Sequence, residues 1–284
     1  MEPSIFPPER VTIVGVLNVT PDSFSDGGRF VGVGNGIESA AVVAAARAMV
    51  EAGAHVLDVG GESTRPGARE VPAAVEIDRT ARVVEAIAKE FELPVSIDSR
   101  KADVAEAALD AGARIVNDVS GGTFDERMFA LVAGRGADLV IGHARATPDR
   151  MQDEVAFGDV VSEVAGELEA AVARAGAAGV ARERIAVDPG IGFGKGLPEN
   201  LALLANLQAL RTRVGRPVWV GVSRKSFLGT LTGDPVQQRD LAGHVASGVA
   251  VFGGADAIRV HDVAGARRAC QVALALRAAR RPTA

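Results

Sequence analysis

Eight short apolar segments alternate with longer segments of helical periodicity, and this alternation limits the fold more than any other feature of the chain. The apolar segments are nearly continuous rather than alternating with polar residues, which is typical of parallel strands covered on both faces. The predicted strands are Val11–Val19, His55–Gly61, Pro94–Ser99, Ile115–Ser120, Ala137–His143, Ile185–Pro189, Pro217–Ser223 and Ala257–Val263. Eight strand–helix units in 284 residues predict an α/β protein with a single closed (β/α)8 barrel, the TIM-barrel architecture.

The junctions between helices and strands support one continuous domain. A Gly-Ala pair precedes four of the predicted strands, and a glycine just past a helix end supplies the left-handed cap that turns the chain. These glycines are Gly53, Gly112, Gly136 and Gly254. No linker or charge block divides the chain, so we predict a barrel over residues 11–280, an N-terminal extension over 1–10 and a C-terminal tail over 281–284.

Composition excludes several classes of function. The net charge of −5 and pI of about 5.5 give no general attraction for nucleic acid or anionic membranes. No apolar run reaches the ~18 residues that a membrane span needs, and the first ten residues do not resemble a signal peptide. The one cysteine, Cys270, excludes an internal disulfide and suits a reducing compartment. We therefore expect a soluble, cytoplasmic protein with no nucleic-acid or membrane partner.

Every predicted strand has a polar residue at or near its carboxyl end. In a β/α barrel the carboxyl ends of the strands carry the active site, whereas the opposite rim is structural. A single buried Asp or Asn could simply satisfy loop backbone groups, but that does not explain polar residues at all eight ends. The predicted ring comprises Asn18, Asp58, Asp98, Asn117, His143, Asp188, Ser223, Lys225, Arg259 and His261.

Within the last strand, alternation places Arg259 and His261 on the same side of the chain. A guanidinium and an imidazole directed together at the barrel mouth predict an anion site, where the imidazole can also donate a proton. The other histidines outside the ring, His55 at the opposite rim and His244 in an apolar late helix, are predicted to be structural.

Two long loops and one apolar helix have distinctive compositions. The loops at 18–28 and 60–67 are rich in glycine and short polar side chains, which is typical of loops that close over substrate. The segment Ala242–Gly254 is apolar on nearly every face and needs cover, either from the chain itself or from a second subunit. We expect a homodimer.

Seven segments, in order along the chain, carry a family resemblance. They are GVLNVTPDSFSDGG (15–28), GGESTRPG (60–67), SID (96–98), NDVSGG (117–122), DPGIGFGK (188–195), GVSRKSFLG (221–229) and RVHDV (259–263). Together they resemble the dihydropteroate synthase family from the first strand to the last. A phosphate-loop interpretation of Gly190–Lys195 is rejected, because the Walker spacing and the Ser/Thr after the lysine are missing.

The resemblance implies a transferase that joins 6-hydroxymethyl-7,8-dihydropterin pyrophosphate to p-aminobenzoate, with Mg²⁺, and releases pyrophosphate and 7,8-dihydropteroate. It implies that the catalytic residues are Asp98, Lys225, Arg259 and His261. By the same resemblance, the pterin is held by Asp98, Asn117, Asp188 and Lys225, the pyrophosphate by Arg259 and His261, Mg²⁺ by Asn18, and p-aminobenzoate by Thr64, Arg65, Pro66, Phe193 and Ser223.

The implied chemistry suits these residue types. Breaking the methylene C–O bond places charge on the leaving pyrophosphate, which Mg²⁺, Arg259 and His261 would stabilise. The resulting cation is delocalised over the pterin. The attacking group is a neutral aniline, so no Ser/His/Asp or Cys/His nucleophile is needed.

One segment departs from the family. Where the family often reads Leu-Met-His-Met, this chain has Ile141-Gly-His-Ala144. Methionines there would flank the pterin ring, so Gly142 and Ala144 predict a loss of polarizable packing against it.

Two alternatives have different signatures. A methyltetrahydrofolate-type methyltransferase module would keep the Asp/Asn set but has no need of the GGESTRPG loop or the SRKS segment, and both are present. A non-catalytic pterin-binding barrel predicts loss of Asn18, Lys225, Arg259 or His261, and all four are present.

Overall fold

The computed structural model describes residues 7, 10–20, 39–63, 67–68, 70–146 and 156–279. Strands and helices alternate along these residues. The strands are β1 (Thr12–Asn18), β2 (Val56–Gly60), β3 (Val95–Asp98), β4 (Ile115–Asp118), β5 (Asp138–Gly142), β6 (Ile185–Asp188), β7 (Trp219–Gly221) and β8 (Ala257–Val260). The helices are α1 (Ser39–Ala52), α2 (Ala73–Glu90), α3 (Ala102–Asp110), α4 (Met128–Arg135), α5 (Val160–Ala177), α6 (Leu197–Ala205), α7 (Leu207–Val214), α8 (Ser226–Thr232), α9 (Asp240–Phe252) and α10 (Val263–Ala279).

The eight strands form one parallel sheet in the order β6-β5-β4-β3-β2-β1-β8-β7. The sheet closes between β6 and β7 through a single bridge that pairs Val187 with Val218. The Val187 N–H also donates to Pro217 O at 2.9 Å across this seam. The predicted single (β/α)8 barrel is therefore confirmed.

Predicted and observed strands agree in number and order. The predicted strands are longer by one to three residues at their ends, where these residues leave the ladder and belong to the flanking turns and loops. The predicted Gly-Ala turns are also confirmed, since Gly53 and Gly254 have φ angles of +101° and +108° that residues with a Cβ rarely adopt.

A small apolar layer fills the inside of the barrel. Successive residues of a strand point to opposite faces, so the residue two positions further along each strand also points inward, one layer higher. Val56 is thus followed by Asp58, Ile115 by Asn117 and Ala257 by Arg259. The polar site lies directly above this layer, whose members are Val14, Val56, Ile115, Val140, Ala186, Trp219 and Ala257.

His55 and His244, both predicted to be structural, and the one cysteine have structural surroundings. His55 accepts a hydrogen bond at Nδ1 from the Ile13 N–H at 2.9 Å, at the rim opposite the site. His244 lies 3.1 Å from Asp262, measured from Nε2 to Oδ2. Cys270 is a free, buried thiol, and burial raises its pKa to about 12.

None of the described helices is both long enough and apolar enough to cross a membrane.

Candidate active site at the carboxyl ends of the strands

Strand register gathers the predicted polar residues into one layer. Asn18 pairs with Gly60, Gly60 with Asp98, and Asp98 with Asn117 on neighbouring strands. A Cβ at Gly60 would lie 3.5 Å from Asn18 Oδ1 and 3.6 Å from Asp98 Oδ2. Glycine at this position therefore leaves the space in which the Asn18 amide and the Asp98 carboxylate face each other.

The guanidinium of Arg259 joins two carboxylates of this layer. Its Nε donates to Asp58 Oδ2 at 2.5 Å and its Nη2 donates to Asp98 Oδ2 at 2.6 Å. Asn117 Nδ2 lies 3.5 Å from Asp58 Oδ2. Burial raises the pKa of Asp98 to about 7, with Arg259 acting against this shift and Asp58 adding to it.

Each of these carboxylates keeps one oxygen without a donor. Asp58 Oδ1 and Asp98 Oδ1 are buried and accept no hydrogen bond from the described part of the chain. A buried carboxylate oxygen without a donor is costly, and native proteins rarely leave one unless a ligand or water completes it. The site is therefore suited to a ligand that brings N–H donors into the barrel.

Asp188 and Lys225 form the neighbouring part of the layer. The Gly190 N–H donates to Asp188 Oδ1 at 2.7 Å, which fixes the orientation of the carboxylate. Burial raises the pKa of Asp188, and the positive charge of Lys225 opposes that shift. The Lys225 ammonium donates to Ile191 O and lies 4.6 Å from the centroid of the Phe193 ring. Burial lowers the pKa of Lys225 to about 8, although Asp188 favours the charged form.

His261 has a different partner from Arg259. Its Nδ1 lies 3.0 Å from Ser223 Oγ, and its backbone N–H donates to the same oxygen at 3.3 Å. Arg259 instead reaches down to the carboxylates. The two side chains that alternation places on one side of β8 therefore lie at different depths, His261 with Ser223 at the mouth and Arg259 inside.

His143 does not belong to the ring, which corrects the sequence prediction. Gly142 lies two residues after Val140 and therefore faces the inside of the barrel, as Val140 does. The next residue, His143, points outward to the helices. Its Nε2 lies 2.9 Å from Glu167 Oε2 on α5, and its Nδ1 lies 3.0 Å from Lys195 Nζ. Burial, reinforced by the charge of Lys195, lowers the pKa of His143 to about 4.

Lys195 is a buried residue that the sequence analysis missed. Its ammonium lies within hydrogen-bond distance of Phe193 O at 2.9 Å and of Gly190 O at 3.0 Å, so it ties the loop after β6 to the end of β5 at His143. Burial lowers its pKa to about 7. The available signal was the lysine that closes the glycine-rich segment GIGFGK directly after a predicted strand.

Glu62, in the loop after β2, is a second missed residue. Its carboxylate pairs with Arg100 at 3.0 Å and with Lys101, both on the segment that follows β3. The Val71 N–H donates to Glu62 Oε2 at 2.8 Å. One buried carboxylate thus fixes both ends of the loop. Thr64, Arg65 and Pro66, which this loop contains, lie outside the described residues, as do positions 21–28, so those predictions stay predictions.

The two departures from the family pattern have different surroundings. A Cβ at Gly142 would lie 2.5 Å from Val119 Cα and 2.9 Å from Asp118 O, so main chain occupies the space a side chain would need. Ala144 instead lines a cavity of about 300 Å³ that Phe193 also borders. The loss of packing predicted here therefore applies to Ala144, whereas at Gly142 the backbone itself fills the space.

Within the described ranges, no group of three or more His, Cys, Asp or Glu side chains could hold a metal ion. The Asn18 amide oxygen beside Asp98 remains the oxygen ligand that the sequence predicts for Mg²⁺.

Comparisons with known proteins agree with this geometry. A family model described as "Pterin binding enzyme" matches residues 14–261. A protein of Synechocystis named dihydropteroate synthase is 43% identical over 269 residues, covering 94% of this chain and 91% of the relative. A Yersinia pestis dihydropteroate synthase, solved in complex with a sulfonamide drug, superposes with a TM-score of 0.88 at 38% identity and 95% coverage of both chains. A Xanthomonas albilineans dihydropteroate synthase, solved with 4-aminobenzoic acid, gives a TM-score of 0.85 at 39% identity, with coverage of 95% of this chain and 94% of that one.

Proposed function

The chain belongs to the pterin-binding enzymes and, within them, to the dihydropteroate synthase family, and we propose that it condenses 6-hydroxymethyl-7,8-dihydropterin pyrophosphate with p-aminobenzoate. The products are 7,8-dihydropteroate and pyrophosphate. The observation that carries the proposal is the pair of buried carboxylate oxygens, Asp58 Oδ1 and Asp98 Oδ1, that lack donors among the described residues. A flat heterocycle with several ring and amino N–H groups is the kind of ligand that such acceptors bind.

In this proposal the pterin lies in the layer above the barrel core. Asp188, fixed by the Gly190 N–H, accepts hydrogen bonds from the amino-pyrimidine edge. Asp98 accepts a hydrogen bond from the pterin ring at Oδ1, the oxygen that lacks a donor among the described residues. Asn117 and Lys225 complete the pocket. Because these groups are buried, water competes little with the pterin for them.

The leaving group is assigned to the mouth of the barrel. His261, held by Ser223, and Arg259 are proposed to bind the pyrophosphate. The guanidinium of Arg259 also donates hydrogen bonds to Asp58 and Asp98. Its charge therefore acts on both the pterin pocket and the leaving group. His261 can give a proton to the departing pyrophosphate oxygen.

Magnesium fits this donor set as an ion held partly by substrate. Mg²⁺ prefers oxygen ligands and is often bound by one or two protein oxygens together with substrate phosphates and waters. Asn18 would supply the protein oxygen. When bound, the ion would neutralise negative charge on the pyrophosphate. We expect Mg²⁺ to bind together with the pyrophosphate ester, whose phosphate oxygens would supply further ligands.

The amine is proposed to enter beside Phe193. The Phe193 ring, with Lys225 against it, offers a flat apolar surface, and Ser223 supplies a hydroxyl at the same side of the mouth. Thr64, Arg65 and Pro66 of the second loop are proposed to cover the amine. The side chains position a neutral aniline for attack on the methylene carbon, and positioning together with stabilisation of the leaving group supplies the rate enhancement.

We also propose that the protein is a cytoplasmic homodimer. Helix α9 exposes Leu241, Val245 and Val249, with 75%, 60% and 52% of their surfaces accessible. Helix α10, which packs against α9, exposes Val272 and Leu276. A patch of this kind is typical of a protein–protein interface. The free thiol of Cys270 supports a reducing compartment.

The deciding experiment combines purified protein, pterin pyrophosphate, p-aminobenzoate and Mg²⁺, and measures both dihydropteroate and pyrophosphate. Equal amounts of the two products are expected, and both should be lost when EDTA removes Mg²⁺. A parallel reaction with methyltetrahydrofolate and a methyl acceptor tests the methyltransferase alternative. Absence of both products at saturating substrates would rule out the synthase activity.

A further inference from the structure

The loop after β7 contains an unusual backbone conformation. Arg224 has a φ of +58°, and among the described residues it is the one residue other than glycine with a positive φ. Residues with a Cβ pay a steric penalty in this left-handed region, so such a conformation persists only where the surrounding structure holds it. Arg224 separates Ser223 from Lys225, so its conformation decides where both of those side chains point.

Helix α9 supplies the contacts that hold this turn. Arg224 Nε donates to Asp240 Oδ1 at 2.7 Å and Arg224 Nη2 donates to Asp240 Oδ2 at 3.0 Å. The pair is bidentate and largely shielded, with 18% and 31% of the two side chains exposed. These hydrogen bonds from Arg224 lower the pKa of Asp240, so the carboxylate is charged at neutral pH.

Two further contacts fix the same turn. Arg239 Nη1 donates to Arg224 O at 3.3 Å, and the Lys225 N–H donates to Val222 O at 3.3 Å. Helix α9 also packs against the turn at Gly243, where a Cβ would lie in ordinary van der Waals contact with Ser223 Cα, at 3.7 Å. The start of α9 therefore contacts the side chain and the carbonyl oxygen of Arg224, and it also contacts the neighbouring residue Ser223.

We propose that Asp240 is a positioning residue, which holds Arg224 in its left-handed conformation and thereby directs Ser223 to His261 and Lys225 to Phe193 and Asp188. The inference rests on the proposed function, because Ser223 and Lys225 are assigned there to the amine and to the pterin. Neither Asp240 nor Arg224 touches either substrate in this arrangement. Asp240 also interacts electrostatically with His261, so the turn is tested most directly by the substitutions of Arg224, which leave that carboxylate in place.

Two substitutions of Arg224 separate backbone strain from the loss of the ion pair. Arg224→Ala loses the pair and keeps the steric penalty, so the turn relaxes and the KM values for both substrates rise about tenfold. Arg224→Gly loses the same pair, but glycine adopts a positive φ without penalty, so KM stays within about twofold of wild type. Equal KM values for the Ala and Gly variants would overturn the inference.

Asp240→Asn provides the complementary test, and Asp256→Asn is its matched control. Asp256 forms an equivalent bidentate pair with Arg211, at 2.9 and 3.1 Å, at the opposite rim of the barrel. Asp240→Asn should raise both KM values several-fold, whereas Asp256→Asn should change thermal stability without changing KM. In an Arg224→Gly background, Asp240→Asn should have no further effect on KM.

The outcomes distinguish this inference from the proposed function. Thermal unfolding, followed by the fluorescence of Trp219, establishes that each variant is folded at the assay temperature. A wild-type protein that forms no dihydropteroate overturns the proposed function and this inference together. An active wild-type protein whose Asp240→Asn variant keeps the KM values of Asp256→Asn overturns the inference alone.

Discussion

Arg259 Nη2 donates to Asp98 Oδ2 at 2.6 Å inside the barrel, while Nε of the same guanidinium donates to Asp58. One cation therefore compensates two buried carboxylates, and neither carboxylate has a second oxygen satisfied by the described residues. With both carboxylates ionised, the arrangement carries a surplus of negative charge at the base of the proposed pterin site. This charge balance has consequences for stability and for its dependence on pH.

Removing the guanidinium should strongly destabilise the folded protein. Arg259→Met leaves Asp58 and Asp98 buried without a positive partner, and breaking a buried ion pair costs roughly 3–5 kcal/mol. Urea unfolding measures the loss. The control is Arg211→Met, because Arg211 is 42% exposed in its pair with Asp256 and should cost about 1 kcal/mol. Similar losses for the two variants would contradict the charge balance described for the barrel.

Asp98 should make stability fall as pH rises through the weakly acidic range. Burial raises its pKa in the folded protein to about 7 from an unfolded value of 3.8. Between these values the folded state keeps a proton that the unfolded state releases, so the free energy of unfolding decreases with rising pH and levels off above 7. Asp98→Asn should remove this decrease. The free energy of unfolding of the variant should therefore differ less between pH 4.5 and pH 7.5 than that of wild type. Asp103→Asn, at an exposed position, should leave the difference unchanged.

Glu62 should affect both stability and the amine site. Glu62→Gln keeps the shape of the side chain but leaves Arg100 and Lys101, both buried, without one negative charge. We expect a loss of about 2–4 kcal/mol in unfolding free energy and a higher KM for p-aminobenzoate, since both ends of the second loop are released. The control is Glu85, which forms an exposed ion pair with Lys89. Glu85→Gln should change neither the unfolding free energy nor the KM for p-aminobenzoate. An unchanged KM in a folded Glu62→Gln variant would separate this carboxylate from the amine site.

Restoring methionine at the two departures should have opposite results. Gly142→Met introduces a Cβ 2.5 Å from Val119 Cα, so the backbone must move and overpacking should cost about 1–3 kcal/mol or more. Ala144→Met extends into a cavity of about 300 Å³ and should be tolerated. Thermal unfolding and calorimetric titration with a pterin measure the two effects. Equal destabilisation by the two substitutions would mean that the cavity cannot accept a side chain.

The sequence predicted the barrel and most of the inward layer because both follow from local periodicity. A residue two positions beyond an inward-facing core residue faces the same way, which is why the polar strand-end residues Asn117 and Arg259 lie above Ile115 and Ala257. The same rule, applied along β5, would have placed His143 outside. A polar residue at a strand end therefore faces the inside of the barrel only where its position along the strand has the inward parity.

The partners of these residues could not be predicted, because they come from distant parts of the chain. Lys195 reaches His143 across 52 residues and Lys101 reaches Glu62 across 39. No local pattern encodes such pairs. The direction of Arg259 toward Asp58, 201 residues away, likewise depends on barrel closure, so the sequence predicted an anion site at Arg259 but not the carboxylates that it contacts.

The exposed face of α9 should control self-association. Val245 is 60% exposed, while Gly243, Ser247, Ala250 and Val251 of the same helix are buried against the barrel. Val245→Lys adds a charge that an apolar interface would have to desolvate, so the proposed dimer should dissociate while the fold of each subunit is kept. Sedimentation velocity over a range of protein concentrations measures this. Val75→Lys, at a position on α2 that is 42% exposed, is the control and should leave the dimer intact. A wild-type protein that sediments as a monomer at all concentrations would instead mean that the patch on α9 and α10 serves another partner.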